Sequence, residues 1–157
     1  MAKKKIDLGM IATLCAAVLG VIAIIMLALP ACVSIHSADA TISCWELVFG
    51  YTQHSVVWLK FSFMNFLTYA LVIAGIICTV LNYLGKGGKY MNLIATGAFL
   101  IAGIFFFLTI SFASVNTELM KADAFKESVK LGVGAIIGGI CSILAAVASG
   151  YKAFIAK

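Results

Sequence analysis

The chain has 157 residues, of which 64% are hydrophobic and 11% charged, and its mean hydropathy is +1.14. A soluble domain carries roughly 25% charged residues, so water is excluded as the main solvent of this surface, and the length leaves room for one domain without a separate soluble module. The formal charge of +5 rests on lysine alone. Without arginine's planar fork for reading base edges, nucleic acid is not expected as a partner.

The first element is an apolar stretch at 8–29, preceded by Lys3, Lys4 and Lys5. Leu29-Pro30-Ala31-Cys32 loosely resembles a lipoprotein cleavage box. The stretch is longer than the 7 to 15 residues typical of a signal core, and proline fits that box poorly, so an uncleaved helix is expected.

Residues 30–57 form a long first loop. Cys32-Val33-Ser34-Ile35-His36 and Ala40-Thr41-Ile42-Ser43-Cys44-Trp45 favour strands and flank the turn-like Ser37-Ala38-Asp39. A hairpin centred on Ala38 places Cys32 opposite Cys44. Opposed strand residues lie about 4.5 to 5.5 Å apart at Cα, within bridging range. In an oxidising compartment a structural disulfide is expected there; a metal or redox site is the alternative. His36 and His54 are the only histidines, and with Asp39 and Glu46 they match no ligand spacing, so no metal is expected. Glu46 has no nucleophile motif or carboxylate partner, and no catalytic residue is assigned. Trp45, Val48, Phe49 and Tyr51 leave more apolar surface than solvation favours and are a candidate contact surface. Alternatively they fold back onto the helices or into lipid headgroups.

Further apolar stretches follow at 61–84, 91–113 and 129–149, with a glycine- and lysine-rich turn at 85–89. At 1.5 Å per residue, about 20 residues match a hydrocarbon core of about 30 Å. No stretch has Asp, Glu, Lys, Arg or His in its interior, and such segments satisfy their backbone in lipid as helices. Phe105, Phe106 and Phe107 point in three directions and read as packing plus lipid contact. The second outer loop, 114–128, is expected to extend the fourth helix, because Asp123 with Lys126 and Glu127 with Lys130 are spaced for helical pairs.

Lysines 3, 4, 5, 86, 89, 152 and 157 fall on one side and lysines 60, 121, 126 and 130 on the other. That excess places both termini and the 85–89 turn in the cytoplasm. Asn65, Asn82, Thr68, Thr79, Thr96 and Thr109 are expected to bond between helices or cap them, with a weakly polar conduit as the alternative. Cys15, Cys78 and Cys141 read as small apolar fillers.

In the fourth stretch Gly134, Ala135, Gly138, Gly139, Ser142, Ala145, Ala146 and Ser149 fall within an arc of about 140° at 100° per residue. The first stretch offers Gly9, Ala12, Thr13, Ala16, Gly20 and Ala23. Small residues let helix backbones approach closely. Packing of these two faces within one chain is expected, with self-association of copies as the alternative, because the arc exceeds what one neighbour needs.

Four spans, cytoplasmic termini, a long strand-bearing first loop with a tryptophan and a cysteine pair, and a short second loop together resemble the claudin-like four-span proteins. Claudins carry Gly-Leu-Trp ahead of both cysteines, whereas here Trp45 follows Cys44. The lysine-only basic set and Trp45-Glu46-Leu47-Val48-Phe49-Gly50-Tyr51 are also similar to small membrane proteins of low-GC bacteria. Neither resemblance transfers an activity.

The expected fold is therefore an all-α, four-transmembrane-helix bundle with a short extracytoplasmic β-hairpin in the first outer loop, in the plasma membrane of a bacterium. The expected function is structural rather than enzymatic: assembly with a second copy or another membrane protein, in contact with lipid and without cofactor. The alternative is a pore-forming or transport-accessory subunit acting as an oligomer.

Overall fold

The computed structural model describes residues 7–36 and 39–155. Ser37 and Ala38, at the centre of the expected hairpin turn, and lysines 3–5 and 157, used in the orientation argument, lie outside the described residues.

Four helices are long and apolar enough to cross a membrane. Helix α1 (Leu8–Ile25) tightens into a 3-10 turn (Met26–Ala28) and stops at Leu29, whose extended backbone (φ −94°, ψ 162°) is what the following Pro30 requires. The next long helix, Phe63–Tyr83, starts at Ser62, whose hydroxyl accepts from the Asn65 N–H at 3.4 Å. Its successor, Gly88–Phe107, is reached through Gly85, Gly87 and Gly88, all at positive φ. This left-handed backbone reverses the chain in four residues, which side chains with a Cβ resist. The last long helix spans Val133–Phe154.

Two short helices and six strands complete the described residues. Strand β1 (Pro30–Ser34) is followed by β2 (Thr41–Ser43), α2 (Cys44–Phe49), β3 (Tyr51–Gln53) and β4 (Val56–Lys60). The long helices Phe63–Tyr83 and Gly88–Phe107 are then α3 and α4. After them come β5 (Ser114–Val115), α5 (Ala122–Ser128), β6 (Val129–Leu131) and finally α6 (Val133–Phe154). Two antiparallel sheets form, ordered β2-β1-β6 and β3-β4-β5. His54 and Ser55, at φ 50° and 66°, make the tight turn between β3 and β4; positive φ at both central residues matches the twist of a two-residue hairpin.

Helix α6 packs against both α1 and α4, and α3 packs against the same two. Large rings on α4 fill the space that glycines leave. Phe99 is fully buried, and its ring covers Gly20 of α1 and Gly75 of α3; Phe106 covers Gly138 of α6, and Ile143 of α6 covers Gly103 of α4. Each large side chain thus meets a position where a Cβ would lie 3.0 Å or less from it. Dispersion across such contacts holds the helices together.

Three expectations are corrected. The β1–β2 register sets Cys32 opposite Ile42 and Val33 opposite Thr41, with an irregularity between Pro30 and Cys32, so Cys44 has no strand partner and both cysteines are free thiols. The cause is local. Ser43 and Glu46 form a reciprocal capping box, Glu46 N–H to Ser43 Oγ at 3.2 Å and Ser43 N–H to Glu46 Oε2 at 2.8 Å, which commits Cys44 to the first turn of α2. Second, residues 114–128 do not extend the last helix. Helix α5 is separate, and Val129–Leu131 pairs with β1 through Ser34–Val129, Val33–Lys130 and Cys32–Leu131. Lys130 is therefore in a strand and out of helical reach of Glu127; among the described residues the one ion pair joins Lys152 to Asp7. Third, Gly138 and Gly139 lie against Phe106 and Phe107 of α4 rather than the small face of α1. The wide arc on α6 serves two neighbours of the same chain.

Candidate functional site

Residues proposed from sequence as a contact surface divide into two groups. Trp45 and Phe49 are one helical turn apart on α2, exposed, and in contact with ring centroids 4.2 Å apart and planes tilted by 40°. Phe49 continues to Phe61 at 6.3 Å and Phe66 at 6.4 Å, themselves 5.8 Å apart. Trp45 also borders a shallow apolar recess with Ile24, Ile25 and Leu27 at the end of α1. The four rings make one exposed aromatic face where the helices meet the sheets. Val48 does not belong to it. It lies 100° around α2 from Phe49 and is 2% exposed, packed in the core with Leu47. Tyr51 is half-buried in β3 and lines the space between the two sheets.

That space has two parts, which share Ile42, Tyr51 and Val129 in their walls. One, of about 380 Å³, is lined by Cys32, Ser34, Thr41, Ile42, Tyr51 and Gln53; the other, of about 190 Å³, is lined by Tyr51, Trp58, Leu59 and Phe125 among others. Strands β2 and β3, each the outermost strand of its sheet, border the larger part. A strand with its outer backbone groups unpaired is a template for another strand.

The two thiols lie in this region. Burial pushes Cys32 up to about 12, with the neighbouring Cys44 sulfur adding to the effect, and burial also raises Cys44. Thiolate is the reactive form, so the pair is chemically quiet as it stands. The unfolded chain releases the Cys32 proton near the ordinary value of 9.0, whereas the folded chain keeps it to about 12. Stability should therefore fall as pH rises through that window. Thermal denaturation of Cys32→Ala should show a flatter pH dependence above 9 than the parent chain. A covalent bridge between Cys32 and Cys44 would leave neither thiol to titrate in the parent and would free Cys44 in the variant, and the variant would then show the steeper curve.

Glu46 is spent on the helix cap, accepting from both the N–H and the hydroxyl of Ser43. Among the described residues no three His, Cys, Asp or Glu side chains converge. Thr13, Thr68, Thr79 and Thr96 in the long helices, and Thr109 in the turn just past α4, each donate to the carbonyl four residues earlier, between 2.7 and 3.3 Å. A threonine hydroxyl reaches its own preceding turn more easily than a neighbouring helix, so these residues are satisfied within their helices and do not cross-link them. Cross-linking falls to Asn65, which donates to the Thr109 carbonyl at 3.2 Å, to Ser62, whose hydroxyl donates to the Phe112 carbonyl at 2.6 Å, and to Asn92, which donates to Asn82 at 3.2 Å. Asn92 and Ser62 were not singled out from sequence. An asparagine inside an apolar stretch was the available signal for the first.

No protein-family model, no curated protein and no solved structure matches the chain. Its class is therefore defined by its own residues: a chain of four long apolar helices with two small sheets at the end away from the α3–α4 turn.

Proposed function

We propose that the chain is a four-span plasma-membrane protein of a structural or interaction type, forming a compact four-helix bundle that holds a strand-edged surface outside the cytoplasm for assembly with a second copy or another membrane protein. The observation that carries this reading is the contrast between the two regions. The helix interior is filled by Phe99, Phe106 and Val72, while the sheet end bears the β2 and β3 edges beside an exposed aromatic face. Aromatic rings at that level suit the headgroup zone, which would seat the edges at the membrane surface, where a partner's strand can add to them. No catalytic role is assigned.

Thr41 and Thr52 are exposed positions on β2 and β3, and charge on an edge strand blocks edge pairing. Thr41→Lys with Thr52→Lys should abolish whatever oligomer or co-purifying membrane protein is recovered in mild detergent, with the monomer's thermal stability unchanged. Assembly that survives both lysines would remove the edge-pairing reading, and reproducible single-channel steps in planar bilayers would replace it with the pore-forming one.

Orientation is tested separately. With the native cysteines replaced, a membrane-impermeant thiol reagent applied to intact cells should label Lys121→Cys and spare Lys86→Cys. The reverse pattern would invert the proposed topology.

A further inference from the structure

We infer that the end of the molecule formed by the α3–α4 turn and the last turn of α6 binds a phosphate ester that carries a hydroxyl group, supplied by an anionic lipid of the phosphatidylglycerol type. The inference rests on the membrane-spanning reading above.

A cavity of about 480 Å³ opens there, lined by Asn82, Gly88, Lys89, Asn92, Lys152 and Phe154 among others. Three of its features favour an anion. Lys89 makes no ion pair among the described residues, and Lys152 contributes a second ammonium, shared with Asp7 at 3.4 Å. The 20-residue helix α4 begins at Gly88 with no side-chain cap, so its first N–H groups and the positive end of its dipole face the same region.

The fourth feature sets what else the ligand must offer. Asn92 is 1% exposed, and its Oδ1 has no hydrogen-bond partner among the described residues. Its orientation follows from a chain of bonds. The Gly88 carbonyl can only accept, so Asn82 must turn its Nδ2 toward it; Asn82 Oδ1 then faces Asn92, which must answer with its own Nδ2. The remaining Asn92 oxygen, buried at the cavity wall, needs a donor. A bare phosphate diester has none, whereas a glycerol headgroup carries hydroxyls. Phe154 and Ile155 are exposed at the rim, where acyl chains would lie against them, and basic pockets at this level of a membrane protein suit anionic headgroups.

The full chain in an uncharged detergent can be titrated with short-chain probes, reading thermal stability as binding. Dihexanoyl phosphatidylglycerol should stabilise it, phosphatidylcholine should not, and phosphatidylmethanol, an anionic diester without a hydroxyl, should bind about three- to tenfold more weakly than phosphatidylglycerol, the worth of one hydrogen bond. Lys89→Gln should weaken both anionic lipids about fivefold, one lysine's share. Asn92→Leu should erase the difference between phosphatidylglycerol and phosphatidylmethanol. Lys89 is exposed at the start of α4, so its variant keeps the test decisive even where Asn92→Leu fails to fold. Equal response to phosphatidylcholine, no discrimination between the two anionic lipids, or an unchanged Lys89→Gln would overturn the inference and leave Asn92 to water. Stabilisation by soluble glycerol phosphate as strong as by the lipid would overturn the lipid as its source. A chain removed from membranes by alkaline carbonate overturns the spanning reading; one that resists it yet shows no lipid preference overturns this inference alone.

Discussion

Gly132→Ala should be among the most damaging single-methyl changes in the chain. Gly132 joins β6 to α6, donates its N–H to the Ala31 carbonyl at 2.7 Å, and presents a surface where a Cβ would lie 2.5 Å from the Pro30 carbonyl oxygen and 2.9 Å from the Ala31 carbonyl carbon. All three nearest atoms are backbone, so no rotamer change relieves the clash; either the β1–β6 ladder separates or α6 shifts along its whole length. Overpacking typically costs about 1 to 3 kcal/mol, and the upper end is expected where nothing flexible can yield. Gly97→Ala on α4 is the control. Nothing lies within 4 Å of a Cβ at Gly97, and alanine in a helix is favoured over glycine by roughly 0.5 to 1 kcal/mol. In detergent, the melting temperature should drop sharply for the first variant and hold or rise for the second. Equal melting temperatures would show that the strand–helix joint is not close-packed.

Gly138→Leu should be at least as severe, and its partner can be named. A Cβ at this position already sits 2.8 Å from the Phe106 ring, which is 1% exposed and packed edge-on against Tyr69 with centroids 5.2 Å apart. A leucine side chain must displace that ring, and the expected result is loss of folded monomer rather than loss of an oligomer. Phe106→Ala alone opens a cavity at a typical cost of about 3 to 5 kcal/mol. Combining the two replaces a ring-on-glycine contact with leucine-on-alanine, so the double variant should be more stable than the sum of the single effects by roughly 1 kcal/mol or more. Strict additivity would place Gly138 and Phe106 apart. An oligomer that dissociates while the monomer keeps its melting temperature would put the small face of α6 on the outside.

Much of the helical framework is legible from residue order because the driving pattern is local. Stretches of about 20 apolar residues without an interior charge have few alternatives to a helix, and the observed helices begin and end within a few residues of the expected bounds at α1 and α3. The third and fourth stretches move further, from 91–113 to Gly88–Phe107 and from 129–149 to Val133–Phe154. Val129-Lys130-Leu131 is apolar enough to read as helix, yet it pairs with β1, about 100 residues earlier in the chain. The α2 helix was also readable, since Ser43 followed three residues later by Glu46 is a capping-box signature; strand propensity at Thr41, Ile42 and Ser43 masked it. Of the candidate surface, Trp45 and Phe49 are exposed as a four-residue spacing on a helix allows, and Val48 is not, because α2 turns it about 100° from Phe49 into the core, a division that composition alone does not show.

The sequence by itself determined the number and approximate place of the long apolar helices, the small-residue faces of α1 and α6, and the strand character of the first loop. Each of these depends on periodicity, composition or a few adjacent side chains. Only the tertiary structure decided which glycine meets which ring, that α6 divides its small face between two neighbours, that Cys32 faces Ile42, and that Asn92, on the wall of a cavity beside Lys89, keeps a buried oxygen without a partner among the described residues. Those outcomes depend on contacts between residues far apart in the chain. Small side chains define where a close approach is permitted, and only the packing of all four helices together selects the large side chain that fills each gap.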